Sequence, residues 1–350
     1  MARSALFYFF GGMLAFLIAC ELLLRVLPVS TATQTGYHID PLINTALPHH
    51  VFKTATGWDL RNAQTVQTNN FGFVAARDFS RDERAVALIG DSFVEASMLS
   101  AGQRPGVQLQ SALPPSRPVY AMGAPGTALL DYAERIRFAH QTLGVRDFVL
   151  LMERYDVRQS FCGSGNVAGP CLRHDTLAAA TELQALPGRA KRILRHSALA
   201  QYLFSQLKLD PARLSQQVLG QARPATAEHK DKASAVVVAA AQPSAQELAR
   251  LAVVTETFFQ RIRPYRDGRL VIVLDSDRAA IQRGQRTADA ARDQFMALAK
   301  AEGALLIDTE PLYREHVARS ELKLEVGPYD GHLNPLGVGI VMTAAARALR

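Results

Sequence analysis

Ala85–Phe93 reads AVALIGDSF and gives the clearest indication of fold class in this sequence. Its first six residues form a short apolar run that ends at Gly90, a pattern typical of a strand buried in a parallel sheet. The polar residues Asp91 and Ser92 follow directly, where the chain turns into a helical pattern. Functional groups in open α/β sheets collect at the carboxyl ends of such strands. Ser92 is therefore a candidate for chemistry.

Further apolar runs of strand length follow along the chain and alternate with helical patterns. The additional strands are predicted at 118–122, 148–152, 270–275 and 304–308. The helices are predicted at about 103–113, 127–143, 245–264, 287–302 and from Pro335 onward. Strands that alternate with helices indicate a parallel, doubly wound sheet, so the predicted fold class is α/β. The main domain is predicted to comprise residues 85–156 and 248–350.

The N-terminal segment is strongly apolar. After Arg3 the run ALFYFFGGMLAFLIAC carries no charge, and the apolar segment continues to Leu27. This length suffices for a tilted transmembrane helix. No small-residue cleavage site follows, which favours a retained signal anchor. Arg3 on the short N-terminal side predicts that this end is cytoplasmic. Residues 1–27 are therefore predicted to anchor a bacterial inner-membrane protein with a single span, whose main domain is periplasmic.

Two alternatives to this anchor remain open. Leu17–Cys20 (LIAC) resembles a lipobox, which would make Cys20 the lipidated N-terminus of a cleaved lipoprotein. The apolar run continues well past Cys20, which argues against this alternative. The segment could also be a buried core helix. The first two interpretations both place the main domain at a membrane.

Two other segments interrupt the alternation of strands and helices. Residues 28–84 are rich in Pro, Asn, Thr and Gly, and are predicted to form an extended lead-in that contains the turn Thr68–Phe73 (TNNFGF). Residues 157–247 are predicted to be an inserted, mostly helical section that could cap the site. Within it, the Ala- and Gln-rich part near 222–246 is predicted to be a flexible linker.

Cysteine usage points to an oxidising compartment. Cys162 and Cys171 bracket a Gly-rich stretch, and in an oxidising environment they would close a short loop as a disulfide. Two unpaired thiols are the alternative. A metal site would require more ligands than His174 alone, so neither a metal nor another cofactor is expected.

The basic charge balance would favour an anionic neighbour, with solvated helix faces as the alternative interpretation of these charges. The formal net charge is +7 and the isoelectric point is about 9.5, which favours a phospholipid surface or an acidic glycan. The basic residues are spread along the chain, and no zinc-finger or RNA-binding signature accompanies them. A nucleic-acid partner is therefore not expected.

A second polar loop, near the C-terminus, contains residues that could activate Ser92 of the Gly90-Asp91-Ser92 turn. Taken alone, such a turn is often only a helix cap. Before the last predicted helix, however, the loop DGHLNPLG contains Asp330 and His332, two positions apart. A histidine that activates a serine needs a carboxylate to orient it and to stabilise the imidazolium. Asp330 could supply that carboxylate, while His332 reaches Ser92; a structural turn or a partial metal site is the alternative.

These blocks resemble the SGNH/GDSL hydrolase superfamily. IGDSFVEASML places Ser92 at the family's nucleophile, AMGAPGTALL places Gly126 at its oxyanion-hole glycine, and DGHLNPLG places Asp330 and His332 at its acid and base. The resemblance covers about 85–156 and 268–350, and implies a flavodoxin-like three-layer α/β/α sandwich. The Asp-x-His spacing and the NNFGF stretch are similar to the membrane-anchored branch that O-acetylates polysaccharides.

One block departs from the family pattern. The family's third block carries an asparagine that donates to the oxyanion, whereas this chain has Tyr155 at that position, preceded by Arg154. Loss of an oxyanion donor raises the barrier by roughly 2.7–4 kcal/mol. The hydroxyl of Tyr155 or the guanidinium of Arg154 could substitute for it. Alternatively, Arg154 could pair structurally with Glu153 or Asp156.

The resemblance implies a serine esterase or O-acyltransferase that acts on acetyl esters of a cell-envelope glycan or exopolysaccharide. Ser92 would be the nucleophile, with backbone N–H groups of Ser92 and Gly126 in the oxyanion hole, and polysaccharide-assembly proteins would be possible partners. The alternative is a catalytically impaired protein of the same fold that binds glycans or assembles polysaccharide complexes. We expect three polar residues to line the pocket: Asp91, Asp275 and Asn334.

Overall fold

The computed structural model describes residues 2–34, 42–164, 168–183, 188–207, 209, 243–286 and 288–350. The chain divides into two compact units. The N-terminal unit takes its residues from 1–36, 51–66 and 185–231, and the α/β unit takes them from 37–50, 67–184 and 232–350. The N-terminal helix therefore shares a unit with parts of the predicted lead-in and of the predicted insertion.

The secondary-structure elements are numbered in chain order. The strands are β1 (Val51–Thr56), β2 (Arg61–Gln67), β3 (Val86–Gly90), β4 (Val119–Gly123), β5 (Asp147–Met152), β6 (Gly169–Leu172), β7 (Ala179–Glu182), β8 (Leu270–Leu274) and β9 (Leu305–Asp308). The α-helices are α1 (Ala2–Val26), α2 (Ser92–Glu95), α3 (Pro105–Ala112), α4 (Leu129–Leu143), α5 (Asp156–Gln159), α6 (Arg189–Leu194), α7 (Ala198–Ala200), α8 (Ala245–Ile262), α9 (Arg278–Gln282), α10 (Ala290–Ala301), α11 (Thr309–Val317) and α12 (Pro335–Ala348).

Five parallel strands form the central sheet of the α/β unit, in the order β4-β3-β5-β8-β9. Counted within the sheet this is the order 2-1-3-4-5, which is that of flavodoxin-like folds. Gly90 at the end of β3 lies between Gly123 of β4 and Leu151 of β5. Strands β4 and β5 lie on opposite sides of β3 in the sheet. The end of β3 is therefore a topological switch point, where ligands of such folds bind, and Ser92 follows it closely.

Helices cover both faces of this sheet. Ala87 and Ile89 of β3 pack in a layer with residues of α4, α8 and α10, whereas Val86 and Leu88 pack with residues of α3 and α12. Because strand side chains alternate between faces, a strand buried on both faces is apolar throughout. All five residues of β3 are buried. The predicted three-layer α/β/α sandwich is confirmed, and the five sheet strands agree with the predicted ones to within one residue.

Other elements differ from the prediction. Residues 28–84 contain the hairpin strands β1 and β2, and the section 157–247 contains the antiparallel pair β6 and β7 beside its helices. In β2 only Val66 is buried, so its sequence lacks the alternation that marks a strand. Helix α11 escaped prediction because only Thr309 and Tyr313 of it are buried. Most of the predicted linker near 222–246 lies outside the described residues.

The predicted turn of the lead-in is closed by its own asparagine. The Asn69 side-chain oxygen accepts hydrogen bonds from the N–H groups of Phe71 and Phe73, each at 3.0 Å. Gly72 has φ +81°, and a Cβ atom there would lie 1.9 Å from the Ala46 carbonyl oxygen. Only glycine fits this position, because other residues disfavour that backbone conformation and lack the space.

Helix α1 is long and apolar enough to cross a membrane. Its apolar part comprises the 22 residues Ala5–Val26, none of which is buried inside the chain. Large apolar side chains such as Phe7, Tyr8 and Phe16 are exposed on it. A soluble protein rarely exposes so much contiguous apolar surface. The helix agrees with the predicted single-span anchor. Cys20, the residue of the lipoprotein alternative, lies within this helix and has a free thiol.

The predicted disulfide is present. Cys162 and Cys171 are bonded, with Cα atoms 5.1 Å apart. The carboxyl group of Glu182 is near both sulfurs, a grouping that could otherwise hold a metal ion. Because the two sulfurs are bonded to each other, neither is a thiolate that could bind a metal. The bond ties the end of α5 to β6.

Removing this crosslink is expected to destabilise the α/β unit by roughly 2–3 kcal/mol, because it releases a short loop in the unfolded chain. The measurement is urea unfolding of the Cys162→Ser/Cys171→Ser variant against the oxidised wild type. Cys20→Ser, which removes the free thiol, is the matched control and is expected to leave the midpoint unchanged. Equal midpoints for the double variant and the wild type would contradict the expectation.

Candidate active site

The turn after β3 presents Ser92 at the switch point of the sheet. The Asp91 side chain accepts a hydrogen bond from the Phe93 N–H at 2.8 Å and so caps α2, whose first residue is Ser92. A Cβ atom at Gly90 would lie 2.6 Å from the Leu151 carbonyl oxygen. One at Gly123 would lie 2.1 Å from the Glu95 nitrogen. Both glycines are therefore required by the close approach of α2 to the strand ends.

The C-terminal loop brings Asp330 and His332 to this turn. His332 Nε2 lies 2.7 Å from Ser92 Oγ, although the two residues are 240 positions apart in the sequence. His332 Nδ1 lies 2.5 Å from Asp330 Oδ1, and the His332 backbone N–H donates to the same oxygen at 2.9 Å. With Nδ1–H donating to the carboxylate, Nε2 is left to accept the Ser92 hydroxyl proton. The structure thus joins the three residues in one hydrogen-bonded chain.

The surroundings of His332 favour its protonated form. Burial acts to lower the pKa of His332, but the hydrogen bond and charge of Asp330, together with the charge of Asp91, outweigh it. Arg278 opposes them, and the net result is a raised pKa. A raised pKa makes the imidazole a stronger base, because the imidazolium it forms is stabilised.

Arg278 holds the loop in place, a role that the sequence did not reveal. Its guanidinium donates to the Gly331 carbonyl at 2.5 Å and to Glu325 at 3.0 Å, and it pairs with Asp275 at the end of β8. It also lies over the Phe93 ring, 5.5 Å from the centroid. The same ring packs against the His332 imidazole at 4.8 Å. Arg278 thus contacts the loop between Asp330 and His332 and the helix that carries Ser92.

Arg278→Gln is expected to lower kcat for ester hydrolysis about 10²-fold with little change in KM, because a misplaced base impairs the reaction rather than binding. Since the Arg278 charge lowers the pKa of His332, its loss also raises that pKa. The acid limb of the pH–rate profile then moves to higher pH. Arg278→Lys, which keeps the charge but loses the fork geometry, is expected to lower kcat without moving the limb.

The pH–rate profile separates this positioning role from a purely structural one. Breaking a buried ion pair costs about 3–5 kcal/mol, so thermal unfolding of each variant is measured first. Arg283→Gln at the exposed C-cap of the same helix is the matched control and should match the wild type. A folded Arg278→Gln variant with unchanged kcat and an unmoved acid limb would remove the positioning role.

The three residues predicted to line the pocket are instead engaged in structural hydrogen bonds. Asp275 is 4% exposed, pairs with Arg278 and accepts from the Tyr313 hydroxyl at 3.0 Å. Asn334 caps α12 through its side-chain oxygen and donates to the Lys323 carbonyl at 2.7 Å. Asp91 is buried as the cap of α2. Asp91 and Asn334 cap helices, whose ends need hydrogen-bond partners, and Asp275 holds Arg278.

Two backbone N–H groups, those of Ser92 and Gly126, were predicted to form an oxyanion hole. Gly126, in the loop after β4, has φ +73°, a conformation that favours glycine. Within the described residues, neither the Ser92 N–H nor the Gly126 N–H donates a hydrogen bond. Free N–H groups in the first turn of a helix are the usual donors to an incoming anion. Both remain predicted oxyanion donors.

The structure gives Arg154 a structural partner. Its guanidinium donates to Asp277 at 2.9 Å rather than to Glu153 or Asp156, and lies over the Tyr155 ring at 4.7 Å from the centroid. The Tyr155 backbone N–H donates to Glu153 at 2.9 Å. Burial raises the pKa of Tyr155, opposed by Arg154, so its hydroxyl keeps its proton at neutral pH. A neutral tyrosine hydroxyl can donate a hydrogen bond.

Buried charges lie beneath the turn. Arg135 is fully buried and donates to the carbonyls of Gly90 at 2.7 Å and Met122 at 3.3 Å, so it joins the ends of β3 and β4. Both Arg135 and Arg137 lie on α4, but Arg137 is only half-buried, whereas Arg135 is a core residue. The burial of Arg135 was missed, because charged residues in a helical pattern are usually exposed.

A second buried acid accompanies Asp91. Asp156 is fully buried and accepts from the Tyr132 hydroxyl at 3.0 Å and the Glu153 N–H at 2.9 Å. Burial raises the pKa of Asp156 strongly, and the nearby Asp91 and Glu153 raise it further. Burial also raises the pKa of Asp91, although the charges of His332 and Arg135 oppose it.

Comparisons with known proteins add a likeness in fold. No family model matches the chain, and no curated protein matches it. A member of the lipolytic protein G-D-S-L family from Veillonella parvula is 10% identical with a TM-score of 0.37, covering 76% of this chain and 97% of that one. A carbohydrate acetylesterase family member from Sinorhizobium meliloti is 13% identical with a TM-score of 0.32, covering 76% and 98%. The lipase/acylhydrolase from Enterococcus faecalis is 10% identical with a TM-score of 0.37, covering 76% and 94%.

All three likenesses are weak, both in sequence identity and in TM-score. Identities and TM-scores this low carry no information about activity or substrate. The chemistry of this chain follows from its own residues.

Proposed function

We propose that this protein is a serine-dependent acyl esterase or O-acyltransferase with Ser92 as nucleophile, His332 as base and Asp330 as the acid that orients His332. The observation that carries the proposal is the 2.7 Å contact between Ser92 Oγ and His332 Nε2. A nucleophile and a base within hydrogen-bond reach, with the base oriented by a third group, is the signature of an activated serine.

The arrangement supports the following reaction. As Ser92 Oγ attacks the ester carbonyl carbon, its proton passes to His332 Nε2, and the carbonyl oxygen becomes an oxyanion held by the Ser92 and Gly126 N–H groups. His332 then returns the proton to the departing alcohol oxygen, and the carbon–oxygen bond of the ester breaks. Water or a sugar hydroxyl attacks the acyl-Ser92 ester in the same way, which releases the acid or forms a new ester.

The proposed substrate is an acetyl ester of a cell-envelope glycan or exopolysaccharide, and the proposed location is the periplasmic side of the inner membrane. The Asp-x-His spacing, which is similar to that of the polysaccharide O-acetylation branch, supports the substrate. Helix α1 and the disulfide support the location, because disulfides persist in oxidising compartments. A polysaccharide-assembly partner follows from the same resemblance.

Covalent labelling with a fluorophosphonate probe tests the nucleophile directly, because the probe reacts with activated serines. We expect one equivalent of label on Ser92 of the full chain and none in Ser92→Ala. Ser100→Ala, which removes an exposed hydroxyl that bonds Gln103, is the matched control and should label like the wild type. A wild type that stays unlabelled, although folded, would contradict an activated Ser92.

A second candidate function is a catalytically impaired protein that binds glycans or assembles polysaccharide complexes. Two observations favour it: Tyr155 stands where the family has its asparagine donor, and Arg154 is held by Asp277. An unlabelled wild type that nevertheless binds an acetylated polysaccharide in calorimetry would support this candidate.

A further inference from the structure

The N-terminal unit contains a cavity of about 310 Å³ beside the end of α1. Leu24 and Leu27 at the end of the helix form part of an apolar wall, which Val29 and Phe52 continue. Its volume is within the range of small-ligand sites, which are mostly apolar with a few polar groups. The cavity is separate from the Ser92 site, because its lining residues all belong to the N-terminal unit.

The polar part of the lining includes two cationic side chains, Arg25 and Lys53, among neutral polar ones. Arg25, Lys53 and His196 line the cavity, and none of the described residues that line it carries a carboxylate. Arg25 is paired with Glu21 at 2.8 Å, whereas no ion pair of the exposed Lys53 is found in the described part of the chain. A cavity with this lining attracts an anion, and its apolar wall favours one that carries an apolar portion.

The cavity is attached to the end of the apolar helix. The carboxylate of Glu21 accepts hydrogen bonds from the Ser197 hydroxyl at 2.8 Å and from the N–H groups of Ala198 and Leu199 at 3.0 and 2.9 Å. These contacts fix the segment that contains His196 to the last turns of α1. When α1 crosses a membrane, the cavity therefore lies at the membrane surface.

The neighbouring helix α6 has the character of an interfacial segment. Arg189, Lys191 and Arg192 are exposed, and no ion pair involves them within the described residues. Between them and the cavity, Ile193 is 74% exposed and Leu194 is 50% exposed. Cationic residues beside exposed apolar side chains are typical of segments that lie on anionic membranes.

We propose that this cavity binds the headgroup of an anionic membrane phospholipid. The phosphodiester oxygens accept hydrogen bonds from Lys53 and Arg25, and the acyl chains run along the apolar surface of α1 that Leu24 and Leu27 begin. The lipid thereby holds the N-terminal unit against the membrane. The proposal requires α1 to lie in a membrane and is independent of the chemistry proposed for Ser92.

The test measures lipid binding to the full chain in a neutral detergent by native mass spectrometry. The probes are dioleoylphosphatidylglycerol, dioleoylphosphatidylcholine and, in a third sample, sn-glycerol 3-phosphate. We expect the anionic lipid to bind about tenfold or more tightly than phosphatidylcholine, and glycerol phosphate to bind more weakly than either. Lys53→Gln is expected to weaken phosphatidylglycerol binding about fivefold, the usual effect of one cation at an anionic surface.

Two further variants make the outcome decisive. Lys53→Arg keeps the charge and should bind like the wild type, and Lys300→Gln removes an exposed lysine of the α/β unit as the matched control. Equal binding of the two lipids, or unchanged binding by folded Lys53→Gln, would overturn the proposal. Binding of glycerol phosphate as tight as that of phosphatidylglycerol would show a site for soluble phosphoesters and would overturn the lipid assignment.

Discussion

Replacing Ser92 by alanine is expected to lower kcat for acetyl-ester hydrolysis by roughly 10⁴- to 10⁶-fold, because the reaction loses the atom that forms the acyl-enzyme. KM is expected to change little, since the substitution removes a single oxygen from the turn. The measurement is release of p-nitrophenol from p-nitrophenyl acetate by the full chain, followed by release of acetate from an acetylated polysaccharide.

In the described part of the chain the Ser92 side chain hydrogen-bonds only to His332, so alanine is not expected to disturb the fold. Ser92→Ala should therefore unfold at the wild-type temperature, and Ser100→Ala should keep full activity. Equal turnover of p-nitrophenyl acetate by the alanine variant and the wild type would exclude Ser92 as the nucleophile.

Asp330→Asn is expected to lower kcat about 10⁴-fold at neutral pH. An asparagine amide can donate to Nδ1, so the imidazole proton moves to Nε2, the atom that must accept from Ser92. The size of the effect is that of the corresponding substitution in a well-studied serine protease. Acetyl-ester turnover measured over a range of pH gives both the rate and the position of the acid limb.

The direction in which the acid limb of the pH–rate profile moves follows from the effect of Asp330 on the pKa of His332. Asp330 raises the pKa of His332, so the wild type loses activity as pH falls through that raised pKa. Without the carboxylate the pKa of His332 falls, and the acid limb moves to lower pH while the maximum rate drops. Asp308→Asn, which alters a carboxylate on β9 away from the loop, is the control and should leave the limb in place. A limb that stays fixed in Asp330→Asn would show that Asp330 does not set the pKa of His332.

The sheet and the two halves of the candidate site were predictable for a common reason. Strand β3 is apolar at every position because both of its faces are covered. A short continuous apolar run of this kind can be recognised in the sequence before the neighbouring strands are known. Ser92 follows β3 and the Asp330–His332 loop precedes α12, and both elements have clear apolar patterns in the sequence. Their contact across 240 positions was predictable only through the family resemblance, since spacing alone says nothing about distance in space.

The supporting residues were not predictable from local pattern. Arg135 and Arg278 are charged residues in helices, which are normally exposed, and their burial depends on carbonyls and carboxylates far away in the sequence. Asp275 and Asn334 were predicted to line the pocket because they follow strands or precede helices. The same position makes them good caps and ion-pair partners, and the structure uses them in that way.

The distance along the chain between Ser92 and His332 also bears on when the protein becomes active. A growing polypeptide acquires the nucleophile 240 residues before the base, so a chain that stops between them holds a serine of ordinary reactivity. Chains that stop before residue 332 lack the proposed base and are expected to be inert toward esters, so ester turnover reports on molecules in which Ser92 and His332 are in contact.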